Sequence, residues 1–138
     1  MKVAAYKGTR AGWEGLYNRF VRWWTRGQYS HMELIFSDGV AASSSFIDGG
    51  VRFKKIVFDP ANWDFIDLPA ELETAARAWF TVNNGKAYDI LGELRFFLGP
   101  VSAGRDKWFC SAAVMDALGY GDSWRFEPNI AAKVLAHP

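Results

Sequence analysis

The sequence predicts an α+β protein in which an antiparallel sheet packs against helices. Short segments with alternating apolar residues fill the first half of the chain, and segments with helical spacing fill most of the second half. Half of the 138 residues are hydrophobic and 17% are aromatic, which is enough for one domain with a substantial core. No repeat, low-complexity tract or linker divides the chain. A single domain over residues 1–138 is therefore expected.

Five segments have the composition and alternation of strands: KVAAY, YSHMELIF, VAASSSF, VRFKKIVF and WDFIDL. Turn residues separate them. Asp38-Gly39 favours a tight hairpin between the second and third segments, and Asp48-Gly49-Gly50 turns the chain again. Asp59-Pro60 breaks the fourth segment before the fifth begins. The succession of hairpins predicts an antiparallel meander.

Five other segments are predicted to be helices: WEGLYNRFVRWWTR (13–26), AELETAARAWFTVNN (70–84), AYDILGELRFFLG (87–99), FCSAAVMDALG (109–119) and EPNIAAKVLAH (127–137). Their boundaries carry helix signals. Gly27 stops the first, Asn84-Gly85 closes the second, Gly119 caps the fourth, and Pro128 suits the first turn of the last.

The composition argues against several function classes. Sixteen basic and fifteen acidic residues leave a formal charge of +1, too little for a nucleic-acid-binding surface. One cysteine excludes an internal disulfide and a cysteine-based zinc cluster, and no His-Glu-x-x-His spacing or phosphate-binding glycine loop is present, so no metal or cofactor is predicted. Without a signal peptide or a run of roughly 20 apolar residues, a protein kept in a reducing cytoplasm is expected.

Cys110 and His31 are the candidate catalytic residues. Cys110 is followed by small, helix-tolerant residues, which puts the thiol near a helix N-terminus, where the dipole and free amides favour the thiolate and could stabilise an oxyanion. His31 is the only histidine outside the C-terminal tail and begins a predicted strand. Brought alongside the thiol, it could take the thiol proton. Taken separately, each residue is more commonly structural.

Two motifs carry a resemblance to a known family. GKAYDILG followed by WFCSAAVMDALG resembles the cysteine half of the NlpC-type papain-like family, in which a Gly-x-x-Tyr segment precedes a Cys-Ser that opens the central helix. SHMELIFSDGVAASS resembles its histidine half. Histidine precedes cysteine here, and RWWTRGQYSH leads into the histidine. The chain therefore resembles the circularly permuted branch, the YiiX-like hydrolases and lecithin–retinol acyltransferase relatives, over roughly residues 13–118.

The resemblance implies a papain-like fold and roles for individual residues. Cys110 would be the nucleophile, with its backbone amide as an oxyanion donor, and His31 the general base and later the acid. Tyr88 matches the tyrosine that precedes the cysteine and lines the site, although an ordinary half-buried aromatic residue is the alternative. Asp89 beside it is left outside the catalytic set, since an acid at a helix start can simply interact with the dipole.

The third catalytic residue departs from the family pattern. The family places a polar residue about twelve positions after the histidine, which corresponds here to Ser43, and a serine hydroxyl supplies no negative charge. Glu33 is favoured instead because residues i and i+2 of a strand face the same way, although contact with the ring is expected to be strained. A salt bridge to a nearby arginine is the structural alternative for Glu33. Ser43, with Ser44, remains an alternative orienting residue.

Three functions are compatible with these observations. The first is a thiol hydrolase that cleaves an amide or ester, with a cell-wall peptide or an acyl compound as the substrate implied by the resemblance. The second is an inactive papain-like scaffold that binds a partner. The third is contact with a membrane surface through the aromatic and arginine-rich helix 13–26, for which a core-facing helix is the simpler interpretation. Trp23 lies off the apolar face of that helix and is predicted to be exposed. The oligomeric state is not predicted.

Overall fold

The computed structural model describes residues 1–8, 19, 22, 23, 27–89 and 108–137. These residues confirm the α+β class. Five strands have defined bounds: β1 (Lys2–Tyr6), β2 (His31–Ile35), β3 (Val40–Ser45), β4 (Gly50–Lys55) and β5 (Trp63–Asp67). Three α-helices of the described part have defined bounds: α1 (Glu73–Asn83), α2 (Cys110–Ala117) and α3 (Pro128–Ala136). Single 3₁₀ turns, Ala70–Leu72 and Ser123–Arg125, precede α1 and α3.

The sheet is antiparallel and its strand order is β4-β3-β2-β1-β5. The first four strands form the predicted meander, whereas β5 pairs with β1 instead of β4. The segment at Lys86 and Ala87 pairs with the outer edge of β4 at the start of that strand. Gly50 forms a bridge with Ala87, and the Val51 amide donates to the Lys86 carbonyl at 2.9 Å. The free edge of β1 is therefore the one that β5 covers.

Gly50 allows this close passage of two backbone segments. Its φ is +148°, and a Cβ at this position would lie 2.0 Å from the Lys86 carbonyl oxygen. Only glycine combines that conformation with that approach. Gly49, one residue earlier in the turn, also has a positive φ of +82°, but a Cβ there would meet nothing within 4 Å.

The core lies between the sheet and the helices. Alternate residues of β2, Met32 and Leu34, are fully buried against it, as are Phe80 of α1 and Met115 of α2. Seven of the eight residues of α2 are buried, the mark of a helix enclosed on all sides. A second cluster of buried residues combines Ala4, Tyr6 and Trp63, packed against Ile35 and Phe58.

The helix ends follow the predicted signals. Gly85 and Gly119 follow α1 and α2 with positive φ of +84° and +85°. Pro128 occupies the first turn of α3, and the Glu127 side chain caps it by accepting from the Ile130 and Asn129 amides, each at 2.9 Å. These contacts satisfy amides that the first turn leaves without partners.

Two predicted helices fall largely outside the described residues. Of segment 13–26, only Arg19, Arg22 and Trp23 are described; all three are helical, and Trp23 is 71% exposed, as predicted. The prediction of a helix from residue 87 is wrong at its start. Ala87 and Tyr88 form isolated β-bridges, because the strand edge at Gly50 and the segment at Trp108 supply backbone partners for them. The rest of that segment lies outside the described residues.

Among the described residues, no helix combines the length and the apolar character required to cross a bilayer.

Candidate active site

Cys110 is the first residue of α2. Phe109 before it is extended, with φ −96° and ψ 167°, and provides no side-chain cap for the first turn of the helix. The helix therefore presents its positive dipole end at the thiol. The side chain is a free cysteine and is 1% exposed. The predicted placement of the cysteine at the start of a core helix is confirmed.

His31 is the first residue of β2 and lies beside the thiol. It pairs with Tyr6 of β1, and its ring meets the edge of Trp63 at a centroid distance of 6.3 Å. The two side chains are close enough for Cys110 to raise the pKa of the imidazole through both its charge and a side-chain hydrogen bond. The two candidate residues, 79 positions apart in the sequence (from 31 to 110), thus come into contact where β2 begins and α2 begins.

The environment of His31 favours its protonated form. Burial by itself lowers the pKa of the imidazole, but the charge of Cys110 and the hydrogen bond to Cys110 act in the opposite direction. The hydrogen bond and charge of Glu33 add to them, and the pKa rises from 6.5 to about 10. At neutral pH the ring is therefore an imidazolium, the form that stabilises a neighbouring thiolate.

Glu33 holds the other side of the imidazole. His31 Nε2 lies 2.8 Å from Glu33 Oε1, and the Glu33 side chain is 1% exposed. Since an ionised carboxylate only accepts, Nε2 donates this bond and Nδ1 is left to exchange a proton with the thiol. Burial raises the pKa of Glu33, but the hydrogen bonds and charges of Arg52 and His31 outweigh it and lower the pKa below its ordinary value.

Arg52 binds the Glu33 carboxylate with two parallel hydrogen bonds. Its Nη1 donates to Oε2 at 2.7 Å and its Nη2 donates to Oε1 at 2.5 Å. Arg52 Nε donates to Asp48 at 2.8 Å, and Lys54 Nζ reaches the other oxygen of Asp48 at 2.7 Å. Both alternatives for Glu33 thus hold together: it contacts the imidazole and it pairs with an arginine.

The two serines of β3 are hydrogen-bonded to backbone carbonyls. Ser43 Oγ donates to the Met32 carbonyl at 2.6 Å and lies 3.3 Å from the Ser44 carbonyl. Ser44 Oγ donates to the Trp108 carbonyl at 2.5 Å. Glu33, rather than Ser43, is therefore the polar group that contacts the imidazole, and Ser44 ties β3 to the segment that leads into α2.

Tyr88 lies on that same leading segment. It forms a parallel bridge with Trp108, two residues before Cys110, and the Asp89 amide donates to the Trp108 carbonyl at 3.1 Å. The Tyr88 ring is half-buried and meets the ring of Phe46 edge-on at 5.9 Å. Its role toward a substrate stays a prediction.

Arg52 is the residue that the sequence did not single out. The sequence indicates that Glu33 could pair with an arginine, but it does not indicate which one. Arg52 lies two strands away from β2 in the sheet, and nothing in the local pattern of VRFKK distinguishes it. The signal that could have found it is the row of residues across the sheet, in which Arg52 pairs with Ser43 of the intervening strand.

Comparisons with known proteins add no assignment: no protein-family model, no curated protein and no solved structure matches the chain. Within residues 1–8, 27–89 and 108–137 and the three described residues between them, no three His, Cys, Asp or Glu side chains are grouped so that they could hold a metal ion.

Proposed function

We propose that this protein is a cysteine-dependent hydrolase of the permuted papain-like type that cleaves an amide or an ester through an acyl-enzyme. The observation that carries the proposal is the hydrogen-bonded series from Cys110 through His31 to Glu33. A nucleophile at a helix start, a base that contacts it and a third group that orients the base are the three parts that covalent acyl transfer requires.

The proposed reaction begins from an ion pair, in which the Cys110 proton has already passed to His31 and a thiolate lies beside the imidazolium. The thiolate then adds to the substrate carbonyl carbon, and the carbonyl oxygen becomes an oxyanion that the Cys110 amide at the start of α2 stabilises. When the tetrahedral intermediate collapses, the leaving amine or alkoxide takes the proton from His31, and a thioester remains on Cys110. Water, deprotonated by the now neutral His31, cleaves the thioester, releases the acid and restores the Cys110 thiolate beside the protonated His31.

Charge supports the same assignment. The raised pKa of His31, about 10, keeps a positive charge next to the sulfur throughout the neutral range. The lowered pKa of Glu33 keeps a negative charge behind the ring. A structural histidine in an apolar core would show the opposite shift, because burial alone disfavours the charged ring.

The substrate class follows from the resemblance rather than from side-chain contacts. A cell-wall peptide or an acyl compound, with hydrolysis or transfer to an acceptor, fits the proposed chemistry equally well. A reduced thiol is required in either case, which suits a reducing compartment such as the cytoplasm.

The test is capture of the acyl-enzyme. The protein is mixed with p-nitrophenyl acetate, quenched in acid and weighed by intact-mass spectrometry. The expected result is the addition of one acetyl group, located on Cys110 by peptide mapping, with a burst of p-nitrophenol; Cys110→Ala abolishes both and His31→Gln strongly reduces both. Absence of label in the folded wild type, or equal labelling of Cys110→Ala, would contradict the proposal.

A second candidate is a non-catalytic papain-like scaffold that binds a partner or a membrane surface. Two observations favour it: Cys110 is only 1% exposed and Trp23 is 71% exposed. Iodoacetamide, a small reagent, separates the candidates, since a buried structural thiol resists it at every pH whereas the proposed thiolate reacts well below about pH 8. Co-sedimentation with anionic vesicles tests the membrane surface, with Trp23→Ala as the variant that should lose binding.

A further inference from the structure

The side chain of Arg52 crosses a whole strand to reach Glu33. It starts on β4, Glu33 lies on β2, and β3 runs between them. Its pair partner on β3 is Ser43, whose short side chain is fully buried and leaves the passage open. Arg52 is 14% exposed and Glu33 is 1% exposed, so the contact is largely withdrawn from water. Two parallel bonds from a guanidinium fix a carboxylate in position as well as in charge.

The charged groups around Glu33 alternate in sign. Four structural elements contribute them: Cys110 on α2, His31 and Glu33 on β2, Arg52 and Lys54 on β4, and Asp48 in the turn before β4. When the thiolate and the imidazolium are both formed, every negative group lies between or beside positive ones. Burial raises the pKa of Asp48, yet hydrogen bonds from Lys54 and Arg52 lower it from 3.8 to about 2, so this outer acid also stays ionised.

We propose that Arg52 is a positioning residue of this site, which neutralises and fixes Glu33 so that the His31 imidazolium remains available to the Cys110 thiolate. The inference rests on the proposed function. Without the guanidinium, His31 would be the one positive group in contact with the buried Glu33 carboxylate among the described residues, while the thiolate would compete for the same positive charge. Protonation of the thiolate relieves that excess of negative charge, because isolated buried charges are costly.

The experiment is the pH dependence of alkylation of Cys110 by iodoacetamide, measured on the 138-residue chain. Four variants are compared with the wild type: Arg52→Gln, Arg52→Lys, Glu33→Gln and the double variant Glu33→Gln with Arg52→Gln. Lys2→Gln is the matched control, because it also removes a cation from the sheet. Lys2 pairs with the exposed Asp67 and lies at the start of β1, whereas Tyr6, the partner of His31, lies at the end of that strand. Circular dichroism establishes that each variant is folded.

Arg52→Gln is expected to move the midpoint of alkylation upward by about one pH unit or more, which is about a tenfold lower rate on the acidic side. Arg52→Lys, which keeps the charge but not the two-pronged contact, should move it in the same direction by less. In the Glu33→Gln background, replacement of Arg52 by Gln should cause no further upward shift, since no buried carboxylate is left to neutralise. Lys2→Gln should match the wild type.

Two results would overturn the role of Arg52. One is a midpoint equal to that of the wild type in every folded Arg52 variant; should Arg52→Gln not fold, Arg52→Lys decides. The other is an equal shift in the presence and absence of Glu33, which would mean that Arg52 does not act through it. Failure of the proposed function looks different, because the wild type itself would then show an ordinary thiol titration that His31→Gln leaves unchanged.

Discussion

Glu33 contacts the His31 ring from two positions further along the same strand, with 2.8 Å between Nε2 and Oε1. A spacing of two residues on a strand is about 6.6 Å along the backbone, which the length of a glutamate side chain bridges. The contact that orients the imidazole is therefore made within one strand. The tertiary fold adds two further contacts: Arg52 reaches Glu33 from β4, and Cys110 approaches the ring from α2.

Glu33→Gln should impair the reaction strongly. The amide can keep a hydrogen bond to Nε2 but supplies no negative charge to stabilise the imidazolium, so kcat/KM for an ester substrate should fall by about 10²-fold or more. Asp67→Asn, at the exposed ion pair with Lys2, is the control and should leave the rate unchanged. A folded Glu33→Gln protein with wild-type kcat/KM would show that the carboxylate has no part in the chemistry.

The stability of the protein should decline on the alkaline side because of His31. The folded-state pKa of about 10 lies above the ordinary value of 6.5. A group with a raised pKa stabilises the fold fully below its unfolded-state pKa, and this contribution is lost as the pH rises through the folded-state pKa. Urea unfolding should show the wild-type advantage over His31→Gln shrinking between pH 6.5 and about 10. A constant difference across that window would contradict the shift.

Gly50→Ala should be far more damaging than Gly49→Ala. Both residues have positive φ, but only at Gly50 would the new methyl group meet a backbone atom, the Lys86 carbonyl oxygen at 2.0 Å. Gly49→Ala should lower the free energy of unfolding by about 1–2 kcal/mol. Gly50→Ala should lower it by about 3 kcal/mol or more, because backbone segments must separate. Similar losses in chemical denaturation would mean that the close passage is not maintained in solution.

Tyr88→Phe separates substrate binding from activation of the thiol. The hydroxyl is expected to assist the reacting carbonyl, so its removal should lower kcat by about tenfold or more. The pH profile of Cys110 alkylation should stay that of the wild type, because the substitution leaves the charged groups of His31, Glu33 and Arg52 unchanged. A shifted alkylation profile would assign Tyr88 to the charge network instead.

Local patterns predicted most of the described elements. Alternation and turn residues located all five strands, and glycine or proline signals located the ends of α1, α2 and α3. The pairing of β5 with β1 was not predictable, because any open edge satisfies the backbone of a strand and the competition for the edge of β4 involves residues far along the chain. The helix predicted from Ala87 is wrong for the same reason, because its backbone pairs with segments that are distant along the chain.

In the candidate site, too, the local contacts were predictable from the sequence and the contact across the sheet was not. Cys110 at a helix start and His31 at a strand start follow from the local sequence. The contact between His31 and Glu33 follows from the two-residue repeat of a strand. It was expected to be strained, yet the two atoms lie at an ordinary hydrogen-bond distance of 2.8 Å. Arg52 required knowledge of which strands are neighbours, since its contact spans β3. Sequence periodicity describes one strand at a time, and contacts across a sheet lie beyond it.

The burial of Cys110, which is 1% exposed, limits the oxidation reactions that its sulfur can undergo in solution. A disulfide requires two sulfur atoms about 2.05 Å apart, and a second protein chain cannot bring its own sulfur that close without opening the fold. Stored at high concentration in air, the protein should remain free of covalent dimers. Any oxidative loss of its sulfur should come from small oxidants such as peroxide, one molecule at a time.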